Sequence, residues 1–388
     1  MNVAVVGIGI HPFGRFEGVS GLQMGAQATR LALADAGMQW TDVQIAFGGS
    51  LGVVLTDSRD DAMADALVTE LGLTGLPFVN VVNGCATAGT ALLMAAIAIE
   101  SGTADVALAV GFDKHPRGHF NADPGVYGLP QWYGEAGMFV TTQFFAMKLN
   151  RYMHEHGISE NTLAKVAAKA FRNGAKNPNA WRRKPFTEEE ILASRMVNHP
   201  LTQYMFCSPD EGAAAVVLCR ADKARQFTDR PVFLKAAALR TRRFGTFEVF
   251  SPWLAHEQTP APTADAAAAA FEQAGIGPGD VDVSQIQDSE SGAEIIHMAE
   301  TGLCEHGEQD ELIQRGATEI DGELPINTDG GLLANGEPIG ASGMRQIYEN
   351  VLQLRGDAGE RQVPRQPWVG FTQVYGAPGL SACTVMTR

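Results

Sequence analysis

Cys85 is the residue of this chain best placed for chemistry. It sits in Val81-Val82-Asn83-Gly84-Cys85-Ala86-Thr87-Ala88-Gly89, where an apolar run from Phe78 to Val82 stops and a helical pattern begins. A thiol at that junction lies at a helix N-terminus, where unpaired N–H groups and the dipole favour an anion. Such a cysteine ionises more readily and attacks carbonyl carbon as a thiolate. The competing reading is a small buried core residue, the usual fate of a free cysteine. The other cysteines, Cys207, Cys219, Cys304 and Cys383, are scattered and form no CxxC pair. That pattern argues against a zinc site and a disulfide framework, and for a reducing cytoplasm.

A second group of candidates is basic. Lys165, Lys169, Arg172, Lys176, Arg182, Arg183 and Lys184 cluster in a chain whose formal net charge is −15. A cradle for a phosphate-bearing ligand is one reading. A solvated helix face is the other, and most charge runs are that. Met138, Phe139, Phe144, Phe145 and Met147 either line a hydrophobic tunnel or form ordinary core at helical spacing. The acidic balance disfavours nucleic acid as a partner. The N-terminus reads as a strand and glycine turn, Met1 to Gly7, without the pattern of a secretory signal. The most apolar helix, Ala86 to Ile99, is too short to span a bilayer, so membrane insertion is not expected.

The elements that must position these residues are written twice. With 388 residues, 45% of them hydrophobic, the chain suffices for two ordinary domains or one large duplicated core. Ala36-Gly37, Asp42-Val43 and the apolar Ile45 to Phe47 correspond to Ala274-Gly275, Asp280-Val281 and Val283. Each set follows an alanine-rich helix, Ala26 to Ala36 or Ala264 to Ala274, and reads as helix, glycine stop, loop, strand. The helix opened by Cys85-Ala86-Thr87 ends near Gly102 and precedes a strand from Asp105 to Val110. Its counterpart runs from Gly340-Ala341-Ser342-Gly343 to Gly356 and precedes a strand from Trp368 to Phe371. This order predicts a duplicated α/β fold with two stacked mixed sheets and helices between and outside them. The halves are residues 1–225 and 226–388. An insertion over about 114–201 holds a helix from Val140 to His156 and the basic cluster, and a strand from Ala213 to Leu218 follows it.

Taken together, these residues resemble the thiolase superfamily, specifically the sterol-carrier-protein-type thiolases and their lipid-transfer-protein-like relatives. The resemblance runs through Val5-Val6-Gly7-Ile8-Gly9, Phe13-Gly14-Arg15, Asn83-Gly84-Cys85-Ala86-Thr87 and Ser194-Arg195-Met196-Val197. It continues through Asp210-Glu211-Gly212-Ala213-Ala214, Leu303-Cys304, Pro325 to Gly331, and Gly336-Glu337-Pro338-Ile339-Gly340-Ala341-Ser342-Gly343. It implies a five-layer αβαβα sandwich of two duplicated halves with an inserted loop domain, assembled as a homodimer or higher homo-oligomer. It implies Cys85 as acyl-accepting nucleophile and a coenzyme A thioester as substrate, with no bound cofactor and no metal. Lys165, Lys169, Arg182 and Arg183 of the loop domain, and Ser342 and Gly343, are its candidates for holding coenzyme A.

The chain departs from the pattern at three places. The family's Gly-His-Pro histidine is replaced by Glu337, and its second-half Asn or His by Gln287, which is followed by Asp288. The Cys-x-Gly loop is replaced by Tyr375-Gly376-Ala377-Pro378-Gly379, and Cys383 comes too late to match it. Glutamate is a base when ionised, and it repels a neighbouring thiolate. It suits removal of a proton from carbon or a hydroxyl; a structural carboxylate at a helix start is the plain alternative. Gln287 cannot transfer protons but can donate to a carbonyl oxygen. Three functions follow. One is an acyl-CoA acyltransferase with Cys85 as nucleophile and Glu337 as base. The second is a carbon–carbon lyase acting by retro-aldol cleavage on β-hydroxyacyl-CoA, with a small OB-fold partner protein. The third is a non-catalytic acyl-CoA-binding scaffold, since fold alone never fixes function.

Overall fold

The computed structural model describes residues 1–52, 61–118, 123–246, 248, 259–377 and 379–388. The strands that build the sheet are β1 (Val3–Gly14), β2 (Ile45–Gly49), β3 (Phe78–Asn80), β4 (Val106–Lys114), β5 (Glu211–Arg220), β6 (Val232–Thr241), β7 (Val283–Ile286), β8 (Val369–Gly376) and β9 (Leu380–Thr387). Their spatial order is β3-β2-β4-β5-β1-β6-β9-β8-β7. Pairing is parallel for β3/β2, β2/β4 and β8/β7, and antiparallel elsewhere. Reading outward from the centre, β1-β5-β4-β2 in the first half repeats as β6-β9-β8-β7 in the second. The counterpart of β3 is a single bridge from Ile326 to Ser284. The two halves of the sheet join through a short register, Val3–Val5 against Val232–Leu234.

The helices complete the layers. The principal ones are α1 (Gly21–Asp35), α2 (Thr87–Glu100), α3 (Thr141–His156), α4 (Glu160–Ala175), α5 (Pro262–Ala274), α6 (Ser291–Glu300), α7 (Gly331–Asn335) and α8 (Ile339–Arg355). Helix α1 covers one outer face, packing Ala28, Ala32 and Leu33 against Val6, Val106 and Val217. Helix α5 covers the other, packing Ala266, Ala270 and Phe271 against Phe371 and Val385. Helices α2 and α8 lie between the halves, where Ala88, Leu92, Ala95, Met344 and Ile347 join Val5, Ala109 and Val216 in the central core. The result is the five-layer sandwich that the resemblance implies, with the two sheets expected from the repeat joined edge to edge into one continuous nine-stranded sheet. Burial on both faces explains why the strands read as continuous apolar runs without alternation. Helix α2 is apolar nearly all round; most of it is buried between the halves, but Ile97 is 46% exposed.

The segment between β4 and β5 supplies α3, α4 and a hairpin, Met196–Asn198 with Leu201–Thr202. It builds a separate core with the second half, where Leu149, Leu163, Phe171 and Phe206 meet Ile286, Ile295 and Leu333. That docking seats the insertion over the carboxyl ends of β7 and β8, above Cys85. Among the described residues no helix is long and apolar enough to cross a membrane.

Candidate active site

The nucleophile turn is built by β3, one glycine and the start of α2. Val81 N–H donates to Gly48 O at 2.8 Å, ending the β3 pairing. Thr87 Oγ1 accepts from Asn83 N at 2.9 Å and donates to Gly84 O at 2.6 Å, which folds residues 83–87 into a closed turn. Gly84 has φ +55°, and a Cβ there would lie 2.6 Å from Ala377 O. No other residue fits that turn against the 376–377 loop. Cys85 therefore faces the second half at the junction of the two.

The carboxylate of Glu337 is the centre of the site. Its Oε1 accepts from Gln287 Nε2 at 3.1 Å and its Oε2 from Cys207 Sγ at 3.1 Å. The Cys85 thiol hydrogen-bonds the same carboxylate. Glu337 is only 2% exposed, and its N–H donates to Ser208 O at 2.9 Å. Gln287 continues β7, its N–H bonded to Gln373 O at 3.0 Å, and among the described residues its buried Oε1 has no partner. Cys207 is tied to the same loop by its N–H to Ser289 O at 2.9 Å. Spacing along the chain gives no hint of Cys207. Its only local mark is the Ser208-Pro209 turn ahead of β5.

Electrostatics here reverse the first expectation for Cys85. Burial pushes its thiol well above the ordinary range, the Glu337 charge and hydrogen bond add to that, and an N–H from Ala377 opposes it only in part. The helix N-terminus is present, yet the resting sulfur keeps its proton, because an anion beside a second anion is costly. Burial and Glu337 push Cys207 the same way.

A buried pair beneath the site holds the Glu337 loop. Asp113 Oδ1 accepts from Ser50 Oγ (2.8 Å), Leu51 N (2.7 Å) and Gly52 N (2.8 Å). Its Oδ2 accepts from Gly340 N and lies 3.1 Å from His115 Nε2. Ile339 N lies 3.2 Å from the same nitrogen. Burial alone would raise Asp113, but the facing imidazole and the N–H donors hold it below its usual value. Burial alone would lower His115, but Asp113, with Asp61 and Glu337 beyond it, raises it. Neither residue stands out in the sequence as a site residue; both act by clamping the first turn of α8, two residues after Glu337.

Several expected binding residues lie elsewhere. Lys169 is 1% exposed and its Nζ is paired with Glu294. Ser342 is buried in α8, its Oγ donating to Ile339 O at 3.2 Å. Gly343 serves the crossing of α8 over α2, where a Cβ would lie 3.3 Å from Gly89 N. Lys165 Nζ donates to Gln314 O at 2.7 Å, and Arg182 donates to Leu333 O at 3.0 Å and to Ser208 Oγ. Arg183 is exposed. The cluster is therefore dispersed, with Arg182 under the Glu337 loop and Arg183 at the surface. Asp288 accepts Leu332 N (2.6 Å) and Leu333 N (3.3 Å) and so caps α7. Cys383 is buried inside β9 opposite Gln373, away from Cys85. Of the Tyr375–Gly379 loop, Pro378 lies outside the described residues. Among the described residues no cluster of side chains has the makings of a metal site.

The fold agrees with what comparison with known proteins finds. Residues 3–222 match "Thiolase, N-terminal domain" and residues 254–388 match "Thiolase C-terminal domain-like". An "Acetyl-CoA acetyltransferase" of Methanothermobacter thermautotrophicus is 34% identical over 394 residues, covering 100% of both chains. "Sterol carrier protein 2" of Gallus gallus is 35% identical over 377 residues, 93% of this chain and 67% of that protein. The solved structure titled "Ltp2-ChsH2(DUF35) aldolase" superposes with a TM-score of 0.86 at 26% identity, covering 100% of this chain and 98% of that one. The chain belongs to the thiolase superfamily, in its sterol-carrier-protein-type branch.

Proposed function

We propose that this protein makes or breaks a carbon–carbon bond next to a coenzyme A thioester, by acyl transfer through Cys85. The observation that carries the reading is the single carboxylate, Glu337, shared by the Cys85 thiol and the Gln287 amide. In acylation, Glu337 takes the proton from Cys85 as the sulfur bonds to the thioester carbon. The bond from that carbon to the coenzyme A sulfur breaks, and the proton passes from Glu337 to the departing thiolate. In condensation, Glu337 takes the α-proton of a second acyl-CoA. The resulting carbanion attacks the Cys85 thioester, the carbon–sulfur bond breaks, and the proton returns from Glu337 to Cys85. Gln287 holds the carboxylate in place, and its amide is the candidate donor to the thioester oxygen. Such proton transfers contribute about 10²–10⁴ in rate.

A second reading has its own observation: the resting Cys85 keeps its proton, and the side chain that hydrogen-bonds it is the carboxylate of Glu337. In retro-aldol cleavage Glu337 takes the β-hydroxyl proton as the Cα–Cβ bond breaks. The enolate carbon then takes that proton back from Glu337, and Cys85 is a pocket residue without covalent duty. The full-length likeness to an aldolase whose title pairs it with a second protein supports this alternative, including a small partner. Coenzyme A thioesters are substrates in both readings, and a homo-oligomer remains part of the proposal.

Intact-protein mass after incubation with acetyl-CoA and longer acyl-CoAs separates the two. An acyl increment in wild type that vanishes in Cys85→Ala is the result expected for acyl transfer. Cleavage of a β-hydroxyacyl-CoA that survives Cys85→Ala, with no increment in wild type, replaces it by the lyase.

A further inference from the structure

Cys207 touches the carboxylate that the proposed chemistry turns on, yet no proton transfer assigned to Glu337 passes through it. Its Sγ donates to Glu337 Oε2 at 3.1 Å, and the O of the next residue, Ser208, accepts the Glu337 N–H at 2.9 Å. The loop before β5 therefore grips Glu337 by side chain and backbone together. That loop is itself fixed. Cys207 is 4% exposed, and its N–H donates to Ser289 O at 2.9 Å. Phe206 bridges to Glu290, and Arg182 donates to Ser208 Oγ. Burial, the Glu337 charge and hydrogen bond, and then Asp288 and Cys85 all push the Cys207 thiol up. Each favours the S–H form, so the sulfur remains a hydrogen-bond donor at neutral pH.

At rest three side chains donate to this carboxylate: Gln287 through Nε2 on Oε1 at 3.1 Å, Cys207 on Oε2, and the Cys85 thiol. Once Cys85 bears the acyl group its proton is gone. Gln287 and Cys207 remain, one on each oxygen. A donor on each oxygen fixes both the position and the plane of the carboxylate, whereas one donor fixes a single oxygen. The two halves of the reaction do not ask the same of it. A coenzyme A thiolate is a stable anion and can leave before its proton arrives. A carbanion is not, so making or breaking the carbon–carbon bond needs a proton moved between carbon and Glu337 at a defined place. In such steps a misplacement of about 1 Å costs on the order of 100-fold in rate. The carbon–carbon step therefore combines the greatest demand on the carboxylate with the loss of its Cys85 donor.

Resting on the acyl-transfer reading above, we propose that Cys207 is the positioning residue of the carbon–carbon step. Its thiol holds Glu337 in place while Cys85 carries the acyl group and has no proton to give.

The same acyl-enzyme can be reached by two routes, and comparing them is the test. An acyl-CoA delivers the acyl group by breaking only a carbon–sulfur bond. The 3-ketoacyl-CoA two carbons longer delivers it by breaking a carbon–carbon bond. Rapid-quench intact-protein mass follows both routes on the full-length chain, with probe pairs from acetyl-CoA and acetoacetyl-CoA up to octanoyl-CoA and 3-ketodecanoyl-CoA. Cys207→Ala and Cys207→Val, one smaller and one larger and neither with a donor, slow the 3-ketoacyl route at least ~10-fold more than the acyl-CoA route, as loss of a hydrogen bond to a charged group implies. Cys207→Ser, whose hydroxyl donates, brings the ratio back to within about threefold of wild type. Equal slowing of both routes, an unchanged ratio in the variants without a donor, or a serine variant that behaves like alanine overturns the proposal and leaves acyl transfer through Cys85 in place. A wild type that forms no acyl-enzyme by either route overturns the acyl-transfer reading and this assignment with it.

Discussion

Replacing Glu337 by glutamine separates chemistry from folding at the centre of the site. The amide keeps the volume of the carboxyl and one acceptor oxygen. That oxygen can keep the contact with Cys207, 3.1 Å away. The new NH₂ then faces Gln287, whose Nε2 is the present donor at 3.1 Å and whose Oε1 has no partner among the described residues. A flip of the Gln287 amide restores a hydrogen bond, so the folding cost is about 1 kcal/mol, that of one neutral hydrogen bond. The catalytic cost is of a different size. Loss of the base removes about 10²–10⁴ in rate, roughly 3–5 kcal/mol of barrier. The thiols respond in the opposite sense. The Glu337 charge helps push Cys85 and Cys207 up, so its removal lowers both, and thiolate forms at lower pH. The assay is twofold: kcat/KM for carbon–carbon bond turnover, and the rate of iodoacetamide labelling against pH with sites located by peptide mass. Glu337→Gln loses turnover by at least about a hundredfold, while Cys85 labelling rises at neutral pH. Turnover within threefold of wild type, or labelling unchanged or slower, refutes the assignment of Glu337 as the base facing Cys85.

Other outcomes follow from particular contacts. Lys169→Met leaves Glu294 buried without its cation, and chemical denaturation shows a loss of about 3–5 kcal/mol; Arg183→Ala, at the surface, changes stability by less than about 0.5 kcal/mol. Gly84→Ala places a methyl on a left-handed residue and against Ala377 O, so it destabilises by about 1–3 kcal/mol and slows Cys85 acylation. Glu290, raised to about 8 in the fold, favours folding most below the unfolded carboxyl value, and that contribution is lost as pH rises toward 8. Thermal midpoints of wild type therefore decline between about pH 5 and 8 more steeply than those of Glu290→Gln. Glu300 has the opposite sign: held down to about 2, its contribution is present above the unfolded carboxyl value and lost as pH falls toward 2. A Glu300→Gln variant loses its stability deficit relative to wild type when unfolding is measured at acid pH.

Local pattern determined a good deal of this protein. The Gly84-Cys85 turn was legible because β3, the glycine and the start of α2 are neighbours in the chain. The duplication was legible because each half repeats its helix, glycine stop and strand in the same order. The observed α1 and α5, and α2 and α8, occupy the places that order assigns. Glu337 and Gln287 were found by their positions within a family pattern.

What they face was decided by tertiary structure. Gln287 and Glu337 meet across 50 residues, and Cys207 and Glu337 across 130. No periodicity in the sequence records that approach. It arises because the start of α8 packs against the ends of β2 and β4, while the loop before β5 binds both Glu337 and the segment after β7. The same packing turned Cys85 from an activated thiolate into a protonated thiol. A helix terminus is a local property, whereas burial and a facing carboxylate belong to the whole fold. Lys169 shows the converse. It reads as one charge in a basic run, but α4 turns it inward onto Glu294 of α6. A sequence carries each residue's charge; which charges lose their water, and which find a partner, depends on surfaces that exist only after the layers have closed.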